Sequence, residues 1–290
     1  MEFLIFTLFA VLTVLAQSQE ETEIDWSKVK PISELPALKA HRKNQATVYE
    51  SNGNRRIIVG GVPAKKSQFP FQAALLMKVT GSPFLCGGSL ISSTRVLTTA
   101  HCTKDASSAT VMLGSVNIFE YDENQVRFDV PESGIISHPD YDPKTLQNDL
   151  GMIKFPNSVV FDKTIRPIDL PKGSDDFVGE NGVASGWGDF DFTNQISPIL
   201  RYANLKVIEN SECRNEFPDI IYDSTMCASD IGNVGTCHGD SGGPFTVRRI
   251  GLRILVGITS FGSESECGNG HPTAFVRISS FIPWILSNIN

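Results

Sequence analysis

The sequence predicts an all-β fold, an antiparallel sandwich or barrel, with a single helix at its C-terminal end. Two observations point there. After residue 58, short β-rich runs recur at even spacing, punctuated by glycine and proline. Only the tail, FIPWILSNIN, spaces its apolar residues for a helix, with Phe281, Trp284, Ile285 and Ile289 near one face.

Taken in order, the chain begins with MEFLIFTLFAVLTVLAQSQ, whose apolar stretch runs from Phe3 to Ala16. That is too short to span a bilayer comfortably and suits the core of a secretory signal. Val14, Ala16 and Ser18 place small residues where signal peptidase needs them. A basic start is missing and Glu2 stands in its place, so an uncleaved anchor or a buried helix is the alternative. A signal peptide over residues 1–17 and a secreted protein are the expectation, with no membrane partner. From Ser18 to about Arg56 the chain is polar and mixed in charge, with Pro31 and Pro36 and no cysteine. Its apolar periodicity is weak, so it reads as a pro-segment or linker. The runs FQAALLM, RVLTTA, TVMLGS, LGMIKF, GVASGW, LRYANLKVI, LRILVGITSF and TAFVRI then read as strands.

The chain has 290 residues, of which 41% are apolar and 20% charged, ample for a core. Its net charge is -7, and no Lys/Arg cluster offers a face to nucleic acid. Six cysteines stand at Cys86, Cys102, Cys213, Cys227, Cys237 and Cys267. An even count behind a secretory signal predicts three disulfides, and the sequence alone leaves fifteen pairings open. The C-x-x-C spacing of a structural zinc site is absent, so no metal is expected.

The most informative run is Cys237-His238-Gly239-Asp240-Ser241-Gly242-Gly243-Pro244. Glycines on both sides of a serine allow a tight turn that presents its hydroxyl and leaves N–H groups free for an oxyanion. A serine hydroxyl needs a base, and the base needs an orienting acid. Upstream stand Thr98-Thr99-Ala100-His101-Cys102 and Asn148-Asp149-Leu150-Gly151. With these three motifs in the order His, Asp, Ser, the chain from Ile58 to Asn290 resembles the trypsin/chymotrypsin family of serine endopeptidases. Gly239-Asp240-Ser241-Gly242-Gly243 also fits the nucleophile elbow of α/β-hydrolases, but that fold needs its acid and histidine after the serine. Only His271 follows, and no strand–helix alternation does.

The resemblance implies two antiparallel Greek-key β-barrels with the active site in the cleft between them. It implies His101 as general base, Asp149 as its orienting acid and Ser241 as nucleophile. The N–H groups of Gly239 and Ser241 form the oxyanion hole, and no cofactor is needed. It further implies that Asp240 meets the α-amino group released when the chain is cut within Arg55-Arg56-Ile57-Ile58-Val59-Gly60-Gly61, with an activation propeptide over 18–57 and a protease domain over 58–290. The family spacing back from Pro70-Phe71-Gln72 makes Ile58 the new terminus, whereas a cut after the basic Arg56 exposes Ile57. The cut after Arg56 is favoured, with trimming of Ile57 or an activator that prefers apolar residues as alternatives.

By position, the family pairs Cys86 with Cys102, Cys213 with Cys227, and Cys237 with Cys267. The pocket floor falls on Gly235, and the walls on Gly262 and Thr273. The Ser260 to Gly262 strand would pair with substrate backbone. Glycine at the floor resembles the arthropod brachyurin branch, which includes collagenolytic enzymes. An uncharged pocket implies large apolar P1 residues such as Phe, Tyr or Leu. Phe261 replaces the usual tryptophan, and the acid that branch often carries near Thr273 is missing. Glu120, Asp122 and Glu123 mark a turn where some relatives hold calcium, but Ser115 replaces the first carboxylate, so calcium is not expected. His238 is expected at the pocket rim, and His138 as a solvated turn residue. Expected partners are protein or peptide substrates, an activating protease and protein protease inhibitors, with the chain itself a monomer. The rival reading is a non-catalytic homologue that acts as a binding or regulatory module.

Overall fold

The computed structural model describes residues 23–36, 38, 61–189, 195–230, 235–263, 267 and 271–289. The expected signal peptide and the cut site at Arg56, Ile57 and Ile58 lie outside the described residues. Fifteen strands are described. The first nine are β1 (Lys30–Pro31), β2 (Val62–Pro63), β3 (Gln72–Val79), β4 (Ser82–Ser92), β5 (Arg95–Thr98), β6 (Ala106–Leu113), β7 (Val126–Pro131), β8 (Ile135–Ser137) and β9 (Gly151–Lys154). The remainder are β10 (Asn181–Gly186), β11 (Arg201–Ile208), β12 (Thr225–Asp230), β13 (Pro244–Arg249), β14 (Leu252–Gly262) and β15 (Thr273–Arg277). Three short helices join them: α1 (Ala100–Thr103), α2 (Asn210–Cys213) and α3 (Ile282–Asn288).

The first sheet runs β7-β6-β3-β4-β5-β9-β8, with β1 added to β4. The second runs β10-β13-β14-β15-β12-β11-β2, and a β10–β11 pairing closes its six main strands into a ring. In the first, β6 returns beside β3 to give the order β6-β3-β4-β5; in the second, β13 returns beside β10 to give β13-β10-β11-β12. Both are the fourth-strand return of a Greek key. Every run read as a strand from the sequence is one.

Packing follows the residue pattern. All but one residue of β3 is buried, as a central strand with both faces covered requires. Phe245 and Phe275 stack at 4.5 Å inside the second barrel. Between the barrels, Trp187 donates its indole N–H to the Val116 carbonyl at 3.0 Å, and Ser185 bonds Gln72 at 2.6 Å. The tail helix α3 buries Ile285 completely, and the buried Arg95 of β5 holds the Asn288 carbonyl at 2.9 Å.

Two local readings change. His138 is half-buried rather than solvated: its ring packs on Phe281 and Trp284 at 5.5 and 5.3 Å, and burial lowers its pKa. The linker-like stretch before the expected cut site is partly built into the fold. Its β1 lies parallel to β4, and Ile32 is fully buried. Local alternation was too weak to reveal this, because the partner strand supplies the order.

Candidate active site

The cleft residues come from both barrels. His101 sits on α1 directly after β5, Asp149 precedes β9, and Ser241 lies in the turn before β13. Strand β5 pairs β9 with Thr98 opposite Gly151, so one register brings the histidine and aspartate segments together. Asp149 Oδ1 accepts the His101 backbone N–H at 2.8 Å, and Oδ2 faces His101 Nδ1 at 2.8 Å. Ser260 Oγ donates to the same Oδ2 at 2.6 Å. Asp149 is 2% exposed and His101 5% exposed. A buried carboxylate keeps its charge only with such partners. Because that carboxylate accepts at Nδ1, the neutral ring carries its proton there and Nε2 is left as a base. Thr99 Oγ1 lies 3.4 Å from Nε2, and no hydrogen bond joins Nε2 to Ser241 among the described residues.

The serine turn is held by close backbone approach. Gly87 of β4 donates its N–H to the Ser241 carbonyl at 2.7 Å, and Gly242 N–H bonds Thr259 carbonyl at 2.8 Å. Gly239 and Gly242 have φ of 102° and 80°, the left-handed region glycine adopts freely. The N–H groups of Gly239 and Ser241 donate to no described residue, which leaves two adjacent donors for an anion.

Asp240 turns away from its neighbour Ser241. Its two oxygens accept the N–H groups of Gly188 and Cys237, each at 2.9 Å. Loss of hydration pushes its carboxyl up to about 6, against the lowering by those donors. A cavity opens beside it, lined by Gly61, Gly186, Gly188, Arg201 and Gly235 among others. On its wall, Arg201 holds the Gly61 carbonyl at 2.7 Å, and β2 pairs with β11.

The residues expected around a specificity pocket also converge. Gly262 lies opposite Thr273 in the β14–β15 pairing, and a side chain at Gly262 would first meet Thr273 Oγ1 at 3.9 Å. Thr273 Oγ1 bonds Thr236 Oγ1 at 2.8 Å, next to Gly235. No local motif points to Thr236, and the sequence alone gives Ser260 only a backbone role. An irregularity between Thr259 and Phe261 breaks the ladder at Ser260, which frees its side chain for Asp149. Phe261 packs edge-on to Phe217 at 5.3 Å.

Three disulfides brace this region: Cys86–Cys102 beside His101, Cys237–Cys267 beside the serine turn, and Cys213–Cys227 between α2 and β12. His238 accepts the Asp189 N–H at its carbonyl, at 2.7 Å. At the acidic turn, Asp122 is engaged by Asn124 and Lys66, which hold its carboxyl down at about 2. Ser115 Oγ donates to the Asn117 carbonyl.

Comparison with known proteins identifies the family. Residues 58–285 match the protein-family model described as Trypsin. Over 251 residues the chain is 37% identical to a collagenase of Hypoderma lineatum, which spans 85% of this chain and 92% of that protein. It is 36% identical over 229 residues to brachyurin of Leptuca pugilator, covering 79% of this chain and 96% of that one. The solved structure of HL collagenase matches with a TM-score of 0.71 at 38% identity, over 80% of this chain and 98% of that chain. A two-barrel fold, a buried histidine–aspartate pair beside a glycine-bound serine and these relatives make the chain a member of the trypsin family of serine endopeptidases, in its arthropod chymotrypsin-like branch.

Proposed function

We propose that the protein is a secreted zymogen that, once cut, hydrolyses peptide bonds through an acyl-enzyme, with a preference for large apolar P1 residues. The line from Ser260 through Asp149 to His101 carries this reading, because it holds the ring's orientation and the tautomer with its proton on Nδ1, leaving Nε2 to act. In the reaction, Ser241 Oγ attacks the scissile carbonyl as Nε2 takes its proton. The carbonyl oxygen becomes an oxyanion held by the N–H groups of Gly239 and Ser241. His101 then returns the proton to the departing amine, and water repeats the sequence to release the acid.

The cavity beside Asp240 supports the zymogen reading. Gly61 lines it, and three residues from Ile58 to Gly61 reach about 10 Å. A new ammonium at Ile58 or Ile57 could therefore enter and pair with the carboxylate. Such pairing offsets the cost of burying that charge, of several kcal/mol in order-of-magnitude terms. The absence of a carboxylate at Gly235, with the uncharged Thr236 and Thr273 beside it, supports an apolar P1 preference. The disulfides support action outside the cell. An activating protease and protein inhibitors are the partners this reading requires, with the enzyme a monomer. The relative named collagenase makes collagen a substrate to test.

Labelling with a phosphonate probe tests the nucleophile. The cut chain should be modified at Ser241, and Ser241→Ala should lower kcat by roughly 10⁴–10⁶. A cut, folded chain that stays unlabelled would instead favour the non-catalytic module. N-terminal sequencing of active material distinguishes a start at Ile57 from one at Ile58.

A further inference from the structure

The segment before the cut site has its own seat on the first barrel. Strand β3 holds one edge of β4 from Ser82 to Ser89, whereas β5 pairs the other edge only from Ser89 to Ser92. Earlier on that second edge β1 pairs with two residues, Lys30 opposite Phe84 and Pro31 opposite Leu85. Around it the chain is anchored by apolar side chains. Ile32 is fully buried, and Val29 is 8% exposed. Ile24, Trp26, Leu35 and Leu38 pack against the same core. The Trp26 ring stacks on Phe119 at 4.7 Å. Asp25 caps the turn Trp26–Lys28, which sets the direction of entry.

None of these contacts uses residues 39–57, where the chain is to be cut. Nothing covalent would keep the segment after cutting, since the first cysteine is Cys86. The seat also matters to the site. Residue Cys86 follows the β1-paired residues directly and is bonded to Cys102 beside His101, and the next residue, Gly87, holds the Ser241 carbonyl. Leaving this edge empty would expose unpaired backbone groups and an apolar trough.

We propose that the pro-segment stays docked on β4 through Ile24–Leu38 after activation, so that the working enzyme is a non-covalent two-chain assembly. This rests on the zymogen reading above for its physiological setting. The docking itself is physically independent of where the natural cut falls.

The test separates the two. A full-length Ser241→Ala protein, starting at Ser18, would carry a recognition sequence for a site-specific protease in place of residues 51–54. After cutting at micromolar concentration, gel filtration and native mass spectrometry should find the peptide and the barrels together at 1:1. Elution of the peptide alone, with the barrels still folded by circular dichroism, would overturn the proposal. Ile32→Asp should weaken retention at least 100-fold; Trp26→Ala, at a half-exposed contact less able to disturb folding, should weaken it about 10-fold. Retention unchanged by Trp26→Ala and Ile32→Asp would show that this seat is not what holds the peptide, and would overturn it equally. Sequencing the natural terminus of wild-type enzyme judges the zymogen reading on its own.

Discussion

Ser260 Oγ stands 2.6 Å from Asp149 Oδ2, the same oxygen that faces His101 Nδ1 at 2.8 Å. The second barrel thus places a hydroxyl behind the histidine–aspartate pair of the first. One oxygen serves two donors, so the hydroxyl fixes the plane of the carboxylate and through it the ring. Ser260→Ala should lower kcat about 10-fold with KM little changed, since a hydrogen bond to a charged group is worth about 1.5–3 kcal/mol. Ser260→Thr, which keeps the hydroxyl, should recover part of the loss. Steady-state kinetics on an apolar P1 peptide would read both, and unchanged kcat in Ser260→Ala would show that the contact is idle.

Asp240 makes a pH-dependent prediction about the uncut chain. Its carboxyl is pushed up to about 6 by burial, from an ordinary value of 3.8. A folded-state pKa above the unfolded one means that the folded state favours the protonated acid. Stability from this group is therefore complete below about pH 4 and is lost as pH rises through 6. The full loss is about 3 kcal/mol. Urea unfolding of Ser241→Ala precursor between pH 4 and 7 should show this loss relative to Asp240→Asn, which lacks it. After cutting, a new ammonium would favour the ionised form, so Asp240→Asn should then be the less stable protein near neutral pH.

Much of this was legible in the sequence, and the exceptions have physical reasons. Runs such as FQAALLM and LRILVGITSF show themselves because branched and large apolar residues cluster between breakers. Strand β4 hid because Gly87-Gly88 reads as a break, yet a Cβ at Gly87 would stand 2.7 Å from Gly243 Cα, so close backbone contact is what demands glycine there. Strand β13 hid behind its leading Pro244, and β1 behind Lys30-Pro31, whose order comes from β4. The candidate catalytic residues were readable because each sits inside its own local motif. Ser260 on Asp149 and Thr236 on Thr273 were not, because each joins segments far apart in the chain through a strand irregularity or a loop.

The pocket floor can be tested by charge. Gly235→Asp would place a carboxylate beside Thr236 and Thr273, on a cavity whose described lining also carries Asp189, Asp240 and an Arg201 that already holds the Gly61 carbonyl. A substrate Arg or Lys would bring its own cation to that carboxylate, whereas Phe would not. The ratio of kcat/KM for Arg over Phe at P1 should rise about 100-fold, an order consistent with leaving a buried polar group unsatisfied. A ratio that stays put would remove Gly235 from the pocket.

The tightest demand on sequence lies at Gly242. Its φ is 80°, and an added Cβ would stand 2.2 Å from Thr98 Oγ1 and 2.5 Å from the Gly87 carbonyl oxygen. Thr98 Oγ1 already bonds that carbonyl at 2.9 Å, and Gly87 N–H holds Ser241. Gly242→Ala therefore strains the backbone and pushes on β4, whose Gly87 holds the nucleophile turn, at a cost of about 2–4 kcal/mol. Thr98→Ala would remove one obstacle but leave the carbonyl, so the double variant should regain only part of the lost stability. Thermal unfolding of the Ser241→Ala background would give the stability, and phosphonate labelling in the Ser241 background would give the turn's competence. Gly242→Ala should lower both together, because the same 2.5 Å approach that costs stability displaces the residue next to Ser241.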